Sequence, residues 1–238
     1  MKISRRQAIG LSGTALTGLS LGFSPKDLLA QAAAQAPPQQ PAWPDRLIEQ
    51  AVTPGPALAL NPDGSAHEYK PSEAGAITEP IKWRTPKPPD IDYDYRNLKV
   101  KIDTKTIGKW KGTLRFADLA DLPHVTHTFL LQCGAPNPRG IVKWRGVRFG
   151  DLADMLELHP SAQFARFIAA DRMYMDEQVA TLRHPQVLLA WMMNDQPLPP
   201  EHGAPLRLVM PFRYGVASVK AVTEIVFNTI PTFGSVPV

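Results

Sequence analysis

The 238-residue sequence contains one cysteine, Cys133, so no disulfide can form within the chain. Long apolar runs are also missing. The most apolar N-terminal stretch, "AIGLSGTALTGLSLGF", is shorter and more polar than the roughly 20 apolar residues of a membrane span. No glycine-rich fingerprint of a nucleotide or dinucleotide site is present, because "RGVRFGD" has the wrong spacing. The hydrophobic fraction of 44% is that of an ordinary globular protein.

An excess of basic over acidic residues is also missing outside the N-terminal segment. The formal net charge is +4, and Lys2, Arg5, Arg6 and Lys26 against Asp27 account for +3 of it. Only +1 remains for the rest of the chain, so we expect no nucleic-acid partner.

Residues 1–36 have the features of an export signal. Paired arginines in "SRRQAIG" precede the weakly apolar run, and small residues in "LLAQAAAQA" suit signal cleavage. This pattern predicts twin-arginine export to the periplasm, with an uncleaved anchor as the alternative. Residues 37–80 are polar and interrupted by proline, and we interpret them as an extended leader and irregular wrap. Residues 81–238 are predicted to form the folded domain.

Hydrophobic periodicity predicts a mixed α+β domain. The alternation in "LKVKID" (98–103) indicates a half-buried strand, and further strands are predicted in "HTFLLQC", "FARFIAAD", "PQVLLAWMMND", "PLRLVMP" and "VKAVTEIVF". "GTLRFADLADLP" is predicted as a helix capped by Thr113, and "WRGVRFGDLADMLEL" as a turn followed by an amphipathic helix. Strands interleaved with short helices, without regular βαβ spacing, are typical of the α+β class.

Cys133 ends an apolar run and enters a loop in "FLLQCGAPNPRG". Loops at strand ends commonly present reactive side chains, and the nearby cation of Arg139 favours the thiolate. The residues leave four roles open, namely an inert buried thiol, a disulfide with another chain, a metal ligand and a nucleophile. The histidines offer no motif for a catalytic base or a metal site, and the methionines lie in apolar stretches typical of a core.

Basic residues are concentrated in "LPPEHGAPLRLVMPFRYGVASVKAVTEI" (198–225). Arg207, Arg213 and Lys220 stand among glycine and proline in an otherwise apolar region. Converging cations of this kind indicate a bound anion such as phosphate. The alternative is a set of exposed charges that protect strand edges.

Both stretches resemble the molybdopterin-binding domain of the sulfite oxidase family. "FLLQC" with its loop and "WRGVRFGDLADML" is similar to the family's segment around the molybdenum-ligating cysteine. "VLLAWMMNDQPLPPEHGAPLRLVMPFRYGVASVKAVTEI" is similar to the family pattern LAY-x-MNG-x-PL-x-x-x-HG-x-PLRLVVP-x-x-YG-x-x-x-VK. The resemblance covers roughly residues 80–230 and implies a sulfite-oxidase-type mixed sheet domain with short flanking helices. It also implies a molybdenum–molybdopterin cofactor and an oxidoreductase that transfers oxygen atoms in a two-electron reaction.

The resemblance also implies roles for particular residues. Cys133 would be the protein thiolate on molybdenum, with Arg139 as a candidate for orienting the substrate. Arg84 falls where the family has an "RNH" motif near cofactor and substrate. The remaining positions fall on cofactor-contacting residues of the family, namely Asp171, His202, Arg207, Ser218 and Lys220.

The chain departs from the sulfite oxidase pattern at three positions. Trp191 stands at the tyrosine of "LAY", Arg84 is followed by Thr85 and Pro86 in place of the rest of "RNH", and Ala217 stands at an arginine. The exported methionine-sulfoxide reductase catalytic subunit branch, which the chain also resembles, likewise lacks the tyrosine. The substrate expected is a small sulfur-containing or related oxo compound. The alternatives are a methionine-sulfoxide reductase-like activity, a non-catalytic pterin- or anion-binding module, and a thiol enzyme.

The sequence contains no embedded haem or flavin motif. We therefore expect no haem and no flavin in this chain, and electrons that pass to or from a separate redox partner. The resemblance implies a cytochrome or a membrane haem protein for that role.

Overall fold

The computed structural model describes residues 56–77, 83–134 and 139–231. The predicted export signal, residues 1–36, lies outside these ranges, as do residues 37–55 and 78–80 of the predicted leader and wrap. In the described ranges, no helix is long and apolar enough to cross a membrane.

Short strands dominate the described chain, and the helices between them are shorter still. The strands are β1 Lys99–Asp103, β2 Gly112–Arg115, β3 His124–Gln132, β4 Arg139–Arg148, β5 Phe164–Ala169, β6 Tyr174–Gln178, β7 Leu188–Met193, β8 Gln196–Pro197, β9 Arg207–Val209 and β10 Val222–Asn228. The α-helices are α1 Phe116–Ala120, α2 Phe149–Met155 and α3 Val179–Leu182. Short 3-10 turns span Pro71–Glu73, Tyr95–Asn97, Pro200–His202 and Gly215–Ala217. The α+β prediction is confirmed.

The strands form two sheets, of which the first is mixed and the second is antiparallel throughout. One has the order β2-β1-β10-β5-β6, and the other has the order β3-β4-β7-β8 with β9 paired to β7. The pairing of β1 with β10 is parallel, whereas the neighbouring pairs are antiparallel. This parallel pair joins the two ends of the described domain, since it places Lys101 opposite Glu224.

The main hydrophobic core lies beside the first sheet. Phe149 of α2 packs its ring 5.9 Å from that of Phe167 on β5 and 6.3 Å from that of Phe227 on β10, and all three are fully buried. Burying each such side chain contributes about 1.5–3 kcal/mol. A second cluster around Phe129 and Trp144 lies against the other sheet.

Two local predictions are wrong because strand pairing includes segments that were predicted as a helix start and as a turn. Thr113 does not cap a helix, because Gly112–Arg115 pairs with β1 and the helix begins only at Phe116. The predicted turn at 144–148 is the second half of β4, which pairs with β3 and β7. A Cβ at Gly146 would lie 2.0 Å from the Leu189 carbonyl oxygen, so this glycine permits close strand approach and does not mark a turn.

Candidate functional site

A cavity of about 340 Å³ brings together six of the eight residues singled out from the sequence. These six are Arg84, Cys133, Asp171, Arg207, Ser218 and Lys220. His202 and Arg139 are not part of the cavity lining. We call this space the thiol cavity.

Strand ends place three of the six side chains, those of Cys133, Asp171 and Arg207, around the thiol cavity. Cys133 directly follows β3, whereas Arg207 is the first residue of β9 in the same sheet. Asp171 follows β5 of the other sheet, where the Ala170 N–H donates to the Ala221 carbonyl at 2.9 Å. That bond brings the segment after β5 beside Lys220.

Cys133 is a free, half-buried thiol at the end of an antiparallel ladder. The preceding residue, Gln132, is the last of β3 and pairs with Arg139 of β4. Among residues 56–77, 83–134 and 139–231, no group of three or more His, Cys, Asp or Glu side chains could hold a metal ion.

Arg207 is a buried cation surrounded by carbonyl groups. Its guanidinium donates to the carbonyls of His202 at 2.8 Å and Ser218 at 3.2 Å, and it lies 4.7 Å from the ring centroid of Trp144. No carboxylate of the described residues forms an ion pair with it. Burial lowers the pKa of Arg207 to about 9. A buried cation without an ionic partner is unfavourable unless an anion binds.

Lys220 is the second buried cation of the cavity. Its ammonium lies 4.0 Å from the ring centroid of Trp83 and 3.4 Å from the Glu201 carbonyl oxygen. Burial, and secondly the charge of Arg207, lowers the pKa of Lys220 to about 8. The backbone of Lys220 fits here because Gly203 has no side chain, and a Cβ on Gly203 would lie 2.7 Å from the Cβ of Lys220.

Ser218 and His202 have hydrogen-bonding capacity that the described residues do not use. The Ser218 hydroxyl oxygen accepts the Met210 N–H at 3.0 Å, which leaves its own hydrogen available to donate. The Nδ1 atom of His202 is buried without a hydrogen-bond partner in the described part of the chain. Burial, and then the charge of Arg207, lowers the pKa of His202, so its neutral form is favoured.

Asp171 holds backbone at the cavity wall. Its carboxylate accepts the Arg84 N–H at 3.0 Å and the Met173 N–H at 3.1 Å. The carboxylate therefore links the segment of Trp83 and Arg84 to the loop after β5. Both of its oxygens are engaged, so its direct contact with a cofactor stays a prediction.

Arg139 is exposed at the start of β4, and its place in substrate orientation also stays a prediction.

Sequence reasoning missed the apolar wall of the cavity. Its members are Leu131, Met173, Val216 and the ring of Trp83, which line the same cavity as the thiol. Met173 was predicted as a core residue, and it packs against the main core while also lining the cavity. Trp191 does not line the thiol cavity.

Trp191 packs its ring 5.4 Å from that of Phe116 and 5.1 Å from that of His124. His124 is the first residue of β3 and Cys133 follows its last, so Trp191 lies toward the opposite end of the strand. The departure from sulfite oxidases that the sequence predicts at Trp191 therefore lies away from the thiol cavity.

A larger cavity of about 610 Å³ lies beside β1, β2 and the turn at Tyr95–Asn97. It is lined in part by Arg96, Lys99, Arg115 and Phe116, and it contains none of the residues predicted as a site. The thiol and the two buried cations therefore make the smaller thiol cavity the better candidate for the functional site.

The residues of the thiol cavity fit an anionic cofactor with many acceptor atoms. Arg207 and Lys220 supply buried positive charge, and Ser218 supplies a hydroxyl donor. The unpartnered Nδ1 of His202 is the kind of buried polar atom that calls for a further partner. A phosphorylated pterin that carries a metal on Cys133 would satisfy these groups.

Comparison with known proteins gives the same chemistry. The family described as "Oxidoreductase molybdopterin binding domain" matches residues 86–234. The chain is 27% identical over 211 residues to the protein-methionine-sulfoxide reductase catalytic subunit MsrP of Ralstonia nicotianae, covering 72% of this chain and 61% of that protein. It is 30% identical over 105 residues to MsrP of Xanthomonas campestris, covering 37% of this chain and 32% of that one. The chain thus spans between a third and three-fifths of these relatives.

A solved structure has a similar fold. The sulfane dehydrogenase SoxCD of Paracoccus pantotrophus superposes with a TM-score of 0.53 at 19% identity, covering 59% of this chain and 40% of that chain. The similarity supports the predicted sulfite-oxidase-type architecture.

Proposed function

The chain belongs to the family of oxidoreductase molybdopterin-binding domains, and from that premise we propose that it reduces sulfoxides by oxygen-atom transfer at the thiol cavity. The observation that carries the proposal is the meeting of Cys133 with two buried cations in one cavity. The thiol provides a soft ligand for molybdenum. The cations provide the charge that an anionic cofactor requires.

The residues of the cavity would divide the binding of the cofactor between them. Cys133 would ligate molybdenum, while Arg207, Lys220 and Ser218 would hold the phosphate. His202 is not part of the cavity lining, but its carbonyl accepts a hydrogen bond from Arg207, and its buried Nδ1 would contact the pterin from there. The bound cofactor supplies the two-electron exchange of an oxygen atom, and the protein supplies position and electrostatics.

The cavity wall beside the thiol favours an uncharged substrate. Leu131, Met173 and Val216 present apolar surface there, whereas sulfite would require positive charge at the same place. Arg84, exposed at the cavity, can donate a hydrogen bond to the oxygen of a neutral S–O group. In the overall reaction a sulfoxide takes two electrons and two protons and gives a thioether and water.

The electrons would come from a separate redox protein. The relatives are named as catalytic subunits, which supports a separate electron-carrying partner, and we propose a haem protein for this role. The paired arginines of "SRRQAIG" support export by the twin-arginine route to the periplasm.

The test begins with the metal content of the full chain, produced in a host that makes the cofactor and exports the protein. Near-stoichiometric molybdenum and reduction of a dialkyl sulfoxide by a reduced viologen dye are expected. Cys133→Ser should retain the pterin and lose turnover. Unchanged turnover in this variant, or a purified protein without molybdenum, would overturn the proposal.

Sulfite oxidation is the second candidate, because Arg84, Arg207 and Lys220 all line the cavity. The same preparation distinguishes the two reactions. Turnover with sulfite and an oxidising acceptor, without turnover of sulfoxides, would favour this candidate.

A further inference from the structure

A backbone carbonyl at the start of the described chain joins two distant side chains. The Pro56 carbonyl oxygen accepts hydrogen bonds from the Gln132 amide at 2.7 Å and from the Tyr214 hydroxyl at 3.1 Å. The same Gln132 amide nitrogen donates to the Ala57 carbonyl at 2.8 Å. We call the group of Pro56, Gln132 and Tyr214 the cross-brace.

The cross-brace connects two segments of the wall of the thiol cavity. Gln132 directly precedes Cys133, whereas Tyr214 directly precedes the 3-10 turn Gly215–Ala217. Gly215 and Val216 of that turn line the cavity together with Cys133. The two segments are more than eighty positions apart in the sequence, so a shared partner is one means of fixing their separation.

The two segments are also in direct contact. A Cβ at Gly215 would lie 3.4 Å from the Gln132 carbonyl oxygen and 3.6 Å from Cδ1 of Leu131. The turn therefore packs directly on the end of β3. A small displacement of either segment changes the place of Cys133 relative to Ser218.

The burial of Gln132 is difficult to explain by stability alone. The side chain is 2% exposed, and its Oε1 atom has no hydrogen-bond partner in the described ranges. A buried acceptor without a donor is unfavourable. An apolar side chain of similar size at this position would bury no such acceptor atom. The amide is best explained by the position that its two N–H bonds impose.

We propose that the cross-brace sets the position of the Cys133 thiol against the Gly215–Ser218 wall, so that Gln132 and Tyr214 are positioning residues of the site. They act through Cys133 and do not contact the substrate. The inference concerns the geometry of the cavity and holds whichever oxo compound is the substrate.

The test uses the single thiol as its own reporter. In cofactor-free full-length protein, the rate of Cys133 alkylation by iodoacetamide is measured by mass spectrometry for the wild type and for Tyr214→Phe. The matched control is Tyr93→Phe, since Tyr93 is also half-buried and donates its hydroxyl to a proline carbonyl, that of Pro89. Gln132→Met removes the amide bonds at similar length and gives a second variant.

Loosening of the thiol segment is expected to raise the alkylation rate about fivefold in Tyr214→Phe, and more in Gln132→Met, because loss of these bonds favours local opening. Tyr93→Phe should alkylate at the wild-type rate. In protein loaded with cofactor, the two cross-brace variants should lose molybdenum faster on dialysis than this control. If Tyr214→Phe and Tyr93→Phe instead have equal alkylation rates and equal molybdenum loss, the cross-brace is only structural and the proposal is wrong.

Discussion

The ammonium of Lys220 lies over the ring of Trp83, 4.0 Å from its centroid, inside the thiol cavity. Contact with an aromatic face stabilises a desolvated ammonium by up to about 2 kcal/mol. The ring thus holds the cation at the place where the cofactor's anionic group is proposed to bind.

Replacement of this ring should weaken cofactor retention in a graded manner. Trp83→Leu removes the aromatic face and is expected to lower molybdenum per chain after gel filtration, whereas Trp83→Phe should have a smaller effect because Phe keeps a weaker face. Trp110→Leu is the control, since Trp110 packs at the edge of the main core and does not line the thiol cavity. Equal loss in Trp83→Leu and Trp110→Leu would contradict the cation–π role.

The lowered pKa of Lys220 predicts that the cofactor-free protein becomes more stable as the pH rises through about 8. The folded-state pKa is about 8 and the ordinary value is 10.5. Between these values the unfolded chain binds more protons, so the free energy of unfolding increases with pH. Urea denaturation across this range measures the increase, and Lys220→Met should reduce it because Arg207 then contributes alone.

The stabilisation by an added anion should depend on pH in the opposite direction. Inorganic phosphate binds best to the protonated lysine, so the rise in unfolding midpoint that phosphate produces should become smaller above pH 8. Lys220→Met should show a smaller rise, because Arg207 is then the one buried cation of the cavity lining. Above pH 8 inorganic phosphate is already the dianion, so a phosphate effect that increases from pH 8 to pH 9 would contradict the assignment of Lys220 to the anion.

Asp171→Asn should destabilise the wall that contains Arg84. Asparagine has one acceptor oxygen for the two N–H groups that the carboxylate binds, so one of them loses its partner. A loss of about 1–3 kcal/mol in unfolding free energy is expected. Because Asp171 raises the pKa of Lys220, the variant should also lower that pKa. Asp103→Asn is the control, as the Asp103 carboxylate accepts the Lys105 N–H outside the cavity.

Local pattern was sufficient to predict most strands. Alternation in "LKVKID" marks β1, where Val100 and Ile102 are buried and their neighbours are not. The apolar run that ends at Cys133 was predicted as a strand, and β3 ends one residue before the thiol. The prediction of a molybdopterin-binding oxidoreductase is confirmed by the family match over residues 86–234.

Long-range pairing and the cavity wall could not be predicted in the same way. The parallel pairing of β1 with β10 joins segments with more than a hundred residues between them, and no local period encodes it. Trp83 and Val216 line the cavity because loops of separate elements meet there. The cross-brace depends on the backbone carbonyl of Pro56. Every residue type has such a carbonyl, so the sequence has no signal for it.

Gly203→Ala should displace Lys220 and weaken the anion site. Gly203 has φ +105°, in the left-handed region that L side chains rarely adopt, and an added Cβ would lie 2.9 Å from the Cα of Lys220. Both effects oppose the substitution, and a loss of about 2–4 kcal/mol in unfolding free energy is expected. Gly75→Ala is the matched control, because a Cβ there meets nothing within 4 Å and the backbone needs no positive φ. Urea denaturation gives the stability of both variants, and the shift of the midpoint with phosphate gives the anion site. Similar values for the two alanine variants would show that the close approach of Gly203 to Lys220 is not required.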